Sequence, residues 1–112
     1  VCAPSLFQKL IARCQGMTSD VSVYEGNRDL LAGALRKYGF KCVQPDGAFY
    51  LFVKVPDGNT DVFCERAKKY NLLLVPGEGF SCEGFVRIAY CVSREMIVRS
   101  LPSFEKLAKE YK

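Results

Sequence analysis

Residues 85–92, Phe-Val-Arg-Ile-Ala-Tyr-Cys-Val, hold a single charge in eight positions. The run reads as a strand, and its period of two places Arg87 on the same face as Phe85 and Ala89. A guanidinium does not give up its proton, and burying it unpaired costs several kcal/mol. Arg87 therefore needs an anion or a route to water. One of the chain's own twelve Asp and Glu residues would serve, as would a strand end that reaches solvent. So would the carboxylate or phosphate of a ligand, gripped by the planar fork.

A second apolar run, Ala48 to Val55, has Lys54 as its only charge and follows the turn signal Asp46-Gly47. It reads as a strand buried on both faces, with Phe49, Tyr50 and Phe52 in the core. Leu72 to Val75 is a shorter apolar strand ended by Pro76-Gly77. Between and around these runs the period changes to that of helices. Pro4-Ser5 opens a helix striped by Leu6, Leu10, Ile11 and Cys14, which Gly16 stops. Ser22 and Glu25 have capping-box spacing. Val23, Leu30, Leu31, Ala34, Leu35 and Tyr38 follow on one face, with Asn27 as its polar member and Gly39 as the stop. Thr60 is placed to cap a helix carrying Phe63, Ala67 and Tyr70. Ser93 is placed to cap another with Ile97, Leu101, Phe104, Ala108 and Tyr111, which Pro102 should kink or split. The order α, α, β, α, β, β, α predicts an α+β fold. Helices pack on a small mixed or antiparallel sheet with strands near 48–55, 72–75 and 85–92, and the two longest are neighbours.

The chain has 112 residues, 49% of them hydrophobic, enough for one domain with its own core. It has no histidine, which removes a Ser-His-Asp triad and every His-containing zinc site built from this chain alone. The net charge of +4 is mild, and the basic residues are scattered with at most two adjacent, Lys68-Lys69. A nucleic-acid partner is not expected. The six cysteines have no C-x-x-C spacing. With no signal peptide and no long apolar run, they read as reduced thiols of a cytoplasmic protein, away from membranes. Pro76-Gly77-Glu78-Gly79-Phe80 follows a strand but lacks the third glycine of a dinucleotide loop, since Cys82 stands there. It reads as a turn shaping the strand exit. Ser103-Phe-Glu-Lys106 has the S-x-x-K spacing of acyl-serine enzymes without their companion motifs, on an ordinary amphipathic helix. The first residue is Val1, so a fragment or a processed form of something longer is expected.

Five segments together resemble the C-terminal part of PLP-dependent aminotransferases of class I/II, the aspartate-aminotransferase-like enzymes of fold type I. They are Ala3-Pro4-Ser5 with Gln8, Tyr24-Glu-Gly-Asn-Arg28-Asp29 with Leu30-Leu31, and Pro45-Asp-Gly47-Ala48-Phe49-Tyr50-Leu51-Phe52. Leu74-Val75-Pro76-Gly77-Glu-Gly79-Phe80 and Gly84-Phe-Val86-Arg87-Ile88-Ala89-Tyr90 complete the set. They stand in the family's order from end to end of the chain.

The resemblance implies that residues 1–19 join an absent large domain and that 20–112 form the small C-terminal domain. By position, Arg87 is the family's arginine for the substrate α-carboxylate. The resemblance also implies a full-length homodimer that moves an amino group between an amino acid and a 2-oxo acid with pyridoxal 5'-phosphate as cofactor. The Schiff-base lysine, the acid facing the pyridine nitrogen and the phosphate-binding groups belong to the large domain. No catalytic or cofactor-binding residue is therefore assigned to this chain, which alone is expected to bind no cofactor and to be inactive. The small domain is further expected to close over the substrate. A C–S lyase or 1-aminocyclopropane-1-carboxylate synthase-like enzyme shares this domain, and a stand-alone binding module is the alternative from another class.

Overall fold

A computed structural model describes residues 2–111. In chain order these form α1 (Ser5–Ile11), α2 (Ser22–Tyr38), β1 (Lys41–Cys42), β2 (Tyr50–Lys54), α3 (Thr60–Lys68), β3 (Val75–Pro76), β4 (Phe85–Ala89) and α4 (Arg94–Lys109). A single 3-10 turn, Glu78–Phe80, lies between β3 and β4. The four strands make one antiparallel sheet in the order β1-β2-β4-β3. The fold is α+β, and the two longest strands, β2 and β4, are neighbours as the sequence predicts.

The sheet differs from expectation in its extent and its burial. The strand expected at 48–55 spans 50–54, and the one expected at 85–92 ends at Ala89. The strand expected at 72–75 is displaced to Val75–Pro76, so Pro76 lies inside it rather than after it. Only one face of β2 is buried, through Leu51 and Val53, while Tyr50 and Phe52 are half-buried and Phe49 is exposed. These three aromatic residues are therefore not core. The reason is the layering. Leu31 and Leu35 of α2, Phe63 and Ala67 of α3, and Ile97, Phe104 and Leu107 of α4 join Leu51, Val53 and Val86 in one cluster. All three helices thus cover the same side of the sheet. Each fully buried Leu or Phe in it contributes about 1.5–3 kcal/mol.

Alternation then sends Tyr50, Phe52, Phe85 and Arg87 to the side without helices. β1 is absent from the sequence reading because two residues carry no readable period. It forms because Gly39, at φ 103°, ends α2 in the left-handed conformation that glycine adopts without strain. The chain then reverses to pair Lys41 with Lys54 and Cys42 with Val53.

Helix ends follow local chemistry, with four corrections. Ser93 caps α4 as expected, its Oγ accepting from the Met96 N–H at 3.2 Å. The capping box at Ser22 does not form. The Asp20 carboxylate accepts from the Ser22 N–H at 2.9 Å, and Glu25 turns to Arg28 instead. The cap of α3 is Asn59, whose side chain accepts from the Val62 N–H at 3.1 Å, and Thr60 is freed for another contact described below. α1 ends at Ile11, five residues before Gly16, and buries no residue. Leu6 and Leu10 of its apolar stripe are 76% and 54% exposed. Pro102 does not split α4, which runs as one helix because Ile97 before it and Phe104, Leu107 and Ala108 after it are all held in the core.

Asn27, the polar member of the α2 face, is 1% exposed. Its amide nitrogen donates to the carbonyls of Tyr90 at 3.2 Å and Val92 at 2.8 Å, which ties α2 to the segment leaving β4. No two of the six cysteines are paired. Thiol titration of the unfolded chain without reductant should return all six, and a value of two or fewer would contradict this arrangement.

Candidate functional site

Arg87 is half-buried at the centre of β4, opposite Phe52 of β2 on one side and Val75 of β3 on the other. Its guanidinium carbon lies 4.2 Å from the centroid of the Tyr50 ring and 3.9 Å from that of Phe80. Tyr50 comes from β2, diagonal to Arg87 on the same face, and Phe80 from the turn after β3. The two rings thus approach from opposite sides of β4, one on β2 and the other in the turn that follows β3. Among the described residues no carboxylate pairs with Arg87; the ion pairs present involve Arg28, Lys68, Arg99 and Lys109. Of the anions open to Arg87 on sequence grounds, the chain's own carboxylates are therefore not used. The aromatic faces supply part of the missing electrostatic stabilisation, since ring quadrupoles attract a cation. No group among the described residues accepts from its N–H donors, and the partly exposed side chain keeps a route to water.

Phe80 owes its place to Gly77. The Gly77 N–H donates to the Phe85 carbonyl at 2.8 Å, and the Gly77 carbonyl accepts from Phe80 at 2.8 Å and Cys82 at 3.0 Å. A Cβ on Gly77 would stand 2.6 Å from the Phe85 carbonyl oxygen and closer still to that of Cys82. Only glycine lets the turn close against β4. The next residue anchors the turn to α3. The Thr60 hydroxyl, on a residue only 5% exposed, donates to Glu78 Oε1 at 2.5 Å. That bond, followed by a backbone N–H, holds the Glu78 carboxyl below the usual carboxylate range. The expectation of a turn shaping the strand exit is met, and the turn also delivers a ring to Arg87.

On the β2 side, the Tyr90 hydroxyl donates to the Ala48 carbonyl at 2.8 Å, and the Tyr90 N–H donates to the Phe49 carbonyl at 3.0 Å. These bonds fix the entry to β2, where Ala48 adopts φ 60°. The Phe49 and Tyr50 rings lie 4.5 Å apart. A cleft of about 600 Å³ opens beyond them, between the start of α2, the 46–49 turn and Tyr90-Cys91. Arg28 lines it, already engaged by Asp29 at 2.8 Å and Glu25 at 3.2 Å. Sequence reasoning singled out Arg87 and missed the roles of Tyr50, Thr60 and Glu78. The strand period could have placed Tyr50 on the Arg87 face once β2 and β4 were taken as neighbours. Nothing local marks the contact between Thr60 and Glu78.

Every described lysine is exposed. Among the described residues, no group of three or more Cys, Asp or Glu could hold a metal ion. No helix among them is long and apolar enough to cross a membrane.

The pattern of the family described as aminotransferase class I and II matches residues 5–103. Similar proteins include an aspartate aminotransferase of Thermotoga maritima, 38% identical over 86 residues, which covers 76% of this chain and 22% of the relative. An aromatic-amino-acid aminotransferase of Thermococcus litoralis is 35% identical over 94 residues, covering 80% of this chain and 24% of its own length. Among solved structures, an aminotransferase from Eubacterium rectale superposes with a TM-score of 0.94 at 54% identity, over all of this chain and 28% of that one. The chain thus spans about a quarter of the length of these relatives. A match that runs from α1 into α4 takes in both the sheet and the strand of Arg87, and the chain belongs to the class I and II aminotransferases.

Proposed function

We propose that the chain is the small C-terminal domain of an aminotransferase that moves an amino group between an amino acid and a 2-oxo acid, and that Arg87 binds the substrate α-carboxylate. One observation carries this reading: a half-buried guanidinium whose carbon lies 4.2 and 3.9 Å from two ring centroids, with no carboxylate of the described chain paired to it. Relatives named for aspartate, aromatic amino acids and LL-diaminopimelate differ in the side chain they accept. What those substrates share is the α-amino α-carboxylate, and a guanidinium edge meets a carboxylate with two parallel charge-assisted bonds.

Pyridoxal 5'-phosphate, which the family implies, supplies an electron sink for amino transfer. Its lysine and phosphate contacts are assigned here to the large domain, outside this chain. Residues 1–19 join that domain, and the exposed Leu6, Phe7, Leu10 and Ile11 of α1 pack within the full-length protein, a cytoplasmic homodimer. Residues 20–112 close over the substrate and exclude water from it. With the purified full-length protein, an amino acid should be consumed beyond one equivalent per active site only when a 2-oxo acid acceptor is present, one product formed per acceptor used. Sustained consumption without acceptor, releasing ammonia or a thiol, would replace this reading with that of a lyase.

A further inference from the structure

We propose that Tyr50 and Phe80 are positioning residues that clamp the Arg87 guanidinium by its flat sides, so that the site selects a planar carboxylate over a tetrahedral oxoanion of the same charge. The inference rests on the reading of Arg87 as the carboxylate ligand and adds the residues that give it shape selectivity. The two ring centroids lie 4.2 and 3.9 Å from the guanidinium carbon and come from opposite sides of β4. A cation between two π faces is held against rotation and keeps only its N–H edge open. A carboxylate lies flat in that edge plane. A sulfonate that places two oxygens there carries its third out of plane, toward a ring.

The backbone that carries each ring is fixed, while the Phe80 ring itself is 46% exposed. Phe80 sits in the turn closed by Gly77 and tied to α3 through Thr60 and Glu78. The Tyr50 ring packs against that of Phe49, 4.5 Å between centroids with the planes tilted by 49°, at the entry to β2, which the Tyr90 hydroxyl fixes through Ala48. The glycine turn that shapes the strand exit is thus also the mount for one jaw of the clamp.

The test uses the full-length holoenzyme and two probes of equal charge, propionate and ethanesulfonate, with Kd read from cofactor absorbance. The wild type should favour propionate. Phe80→Leu and Tyr50→Leu should each weaken propionate about tenfold and ethanesulfonate less than twofold, erasing the preference. Phe80→Tyr and Tyr50→Phe, which keep the rings, should behave as wild type. A purely structural role would lower the Tm of the leucine variants without changing the ratio of the two affinities, and that result overturns the clamp. If Arg87→Ala abolishes propionate binding while both leucine variants keep the wild-type ratio, the clamp fails and the carboxylate assignment stands. If Arg87→Ala leaves propionate binding intact, both fail. Should a leucine variant not fold, the wild type decides: the Arg87 Nε–H proton should be shifted upfield by ring currents, and an unshifted resonance overturns the clamp.

Discussion

Arg87→Ala in the full-length protein should lower kcat/KM by about 10²-fold or more while the absorbance of the bound cofactor stays unchanged. The magnitude follows from what is lost. A hydrogen bond to a charged group is worth about 1.5–3 kcal/mol, two are removed together, and each ~1.4 kcal/mol is a factor of ten. The carboxylate grip also fixes how the substrate Cα–H is presented, so part of the loss should fall on kcat as well as on KM. Arg87→Lys should rescue poorly. An ammonium is a point charge that cannot offer two parallel donors, and it would sit between Tyr50 and Phe80 without filling the space of the planar group. All substrates should suffer alike because all carry the α-carboxylate, whereas a change in a side-chain pocket would be selective. Wild-type kinetics for Arg87→Ala would end the assignment.

Gly77→Ala should destabilise the 112-residue chain by about 3 kcal/mol, read as a lower urea midpoint at unchanged slope. The added methyl would meet the carbonyl oxygens of Cys82 and Phe85, which belong to backbone and cannot swing aside. Relief requires opening the turn, and that breaks the bonds from the Gly77 N–H to Phe85 and from the Cys82 N–H to Gly77. Gly79→Ala is the matched control two residues away. No heavy atom lies within 4 Å of its added methyl, so its effect should stay within about 0.5 kcal/mol. Equal midpoints for the two variants would show that the turn relaxes freely. Because the same turn carries Phe80, Gly77→Ala in the full-length protein should also weaken carboxylate binding, and Gly79→Ala should not.

Helices were legible because their signals lie within a few residues of one another. The apolar face of α2 apart from Val23, which is 56% exposed, its stop at Gly39, and the cap of α4 by Ser93 stand where the sequence places them. The failures are equally local in cause. Ser22 and Thr60 are plausible caps by spacing, but Asp20 takes the Ser22 N–H that Glu25 would receive in a capping box, and Asn59 takes the Val62 N–H open to Thr60. Pro102 ought to break a helix in isolation, yet core contacts on both sides hold α4 together.

The residue order alone determined that this is an α+β chain with β2 beside β4, and that an arginine in an apolar strand needs an unusual partner. It could not determine that partner. An eight-residue apolar run looks the same whether one face or both are covered, and the choice was made by α2, α3 and α4 all packing on one side of the sheet. That choice turned Tyr50 and Phe52 from expected core into the open face, and put Arg87 among rings rather than beside an acid. The contacts that settle the site join Thr60 to Glu78 across 18 positions and Asn27 to Val92 across 65. Periodicity reports on neighbours within a few turns of the chain. Partners this distant meet only once burial of the apolar surface has folded the helices onto the sheet.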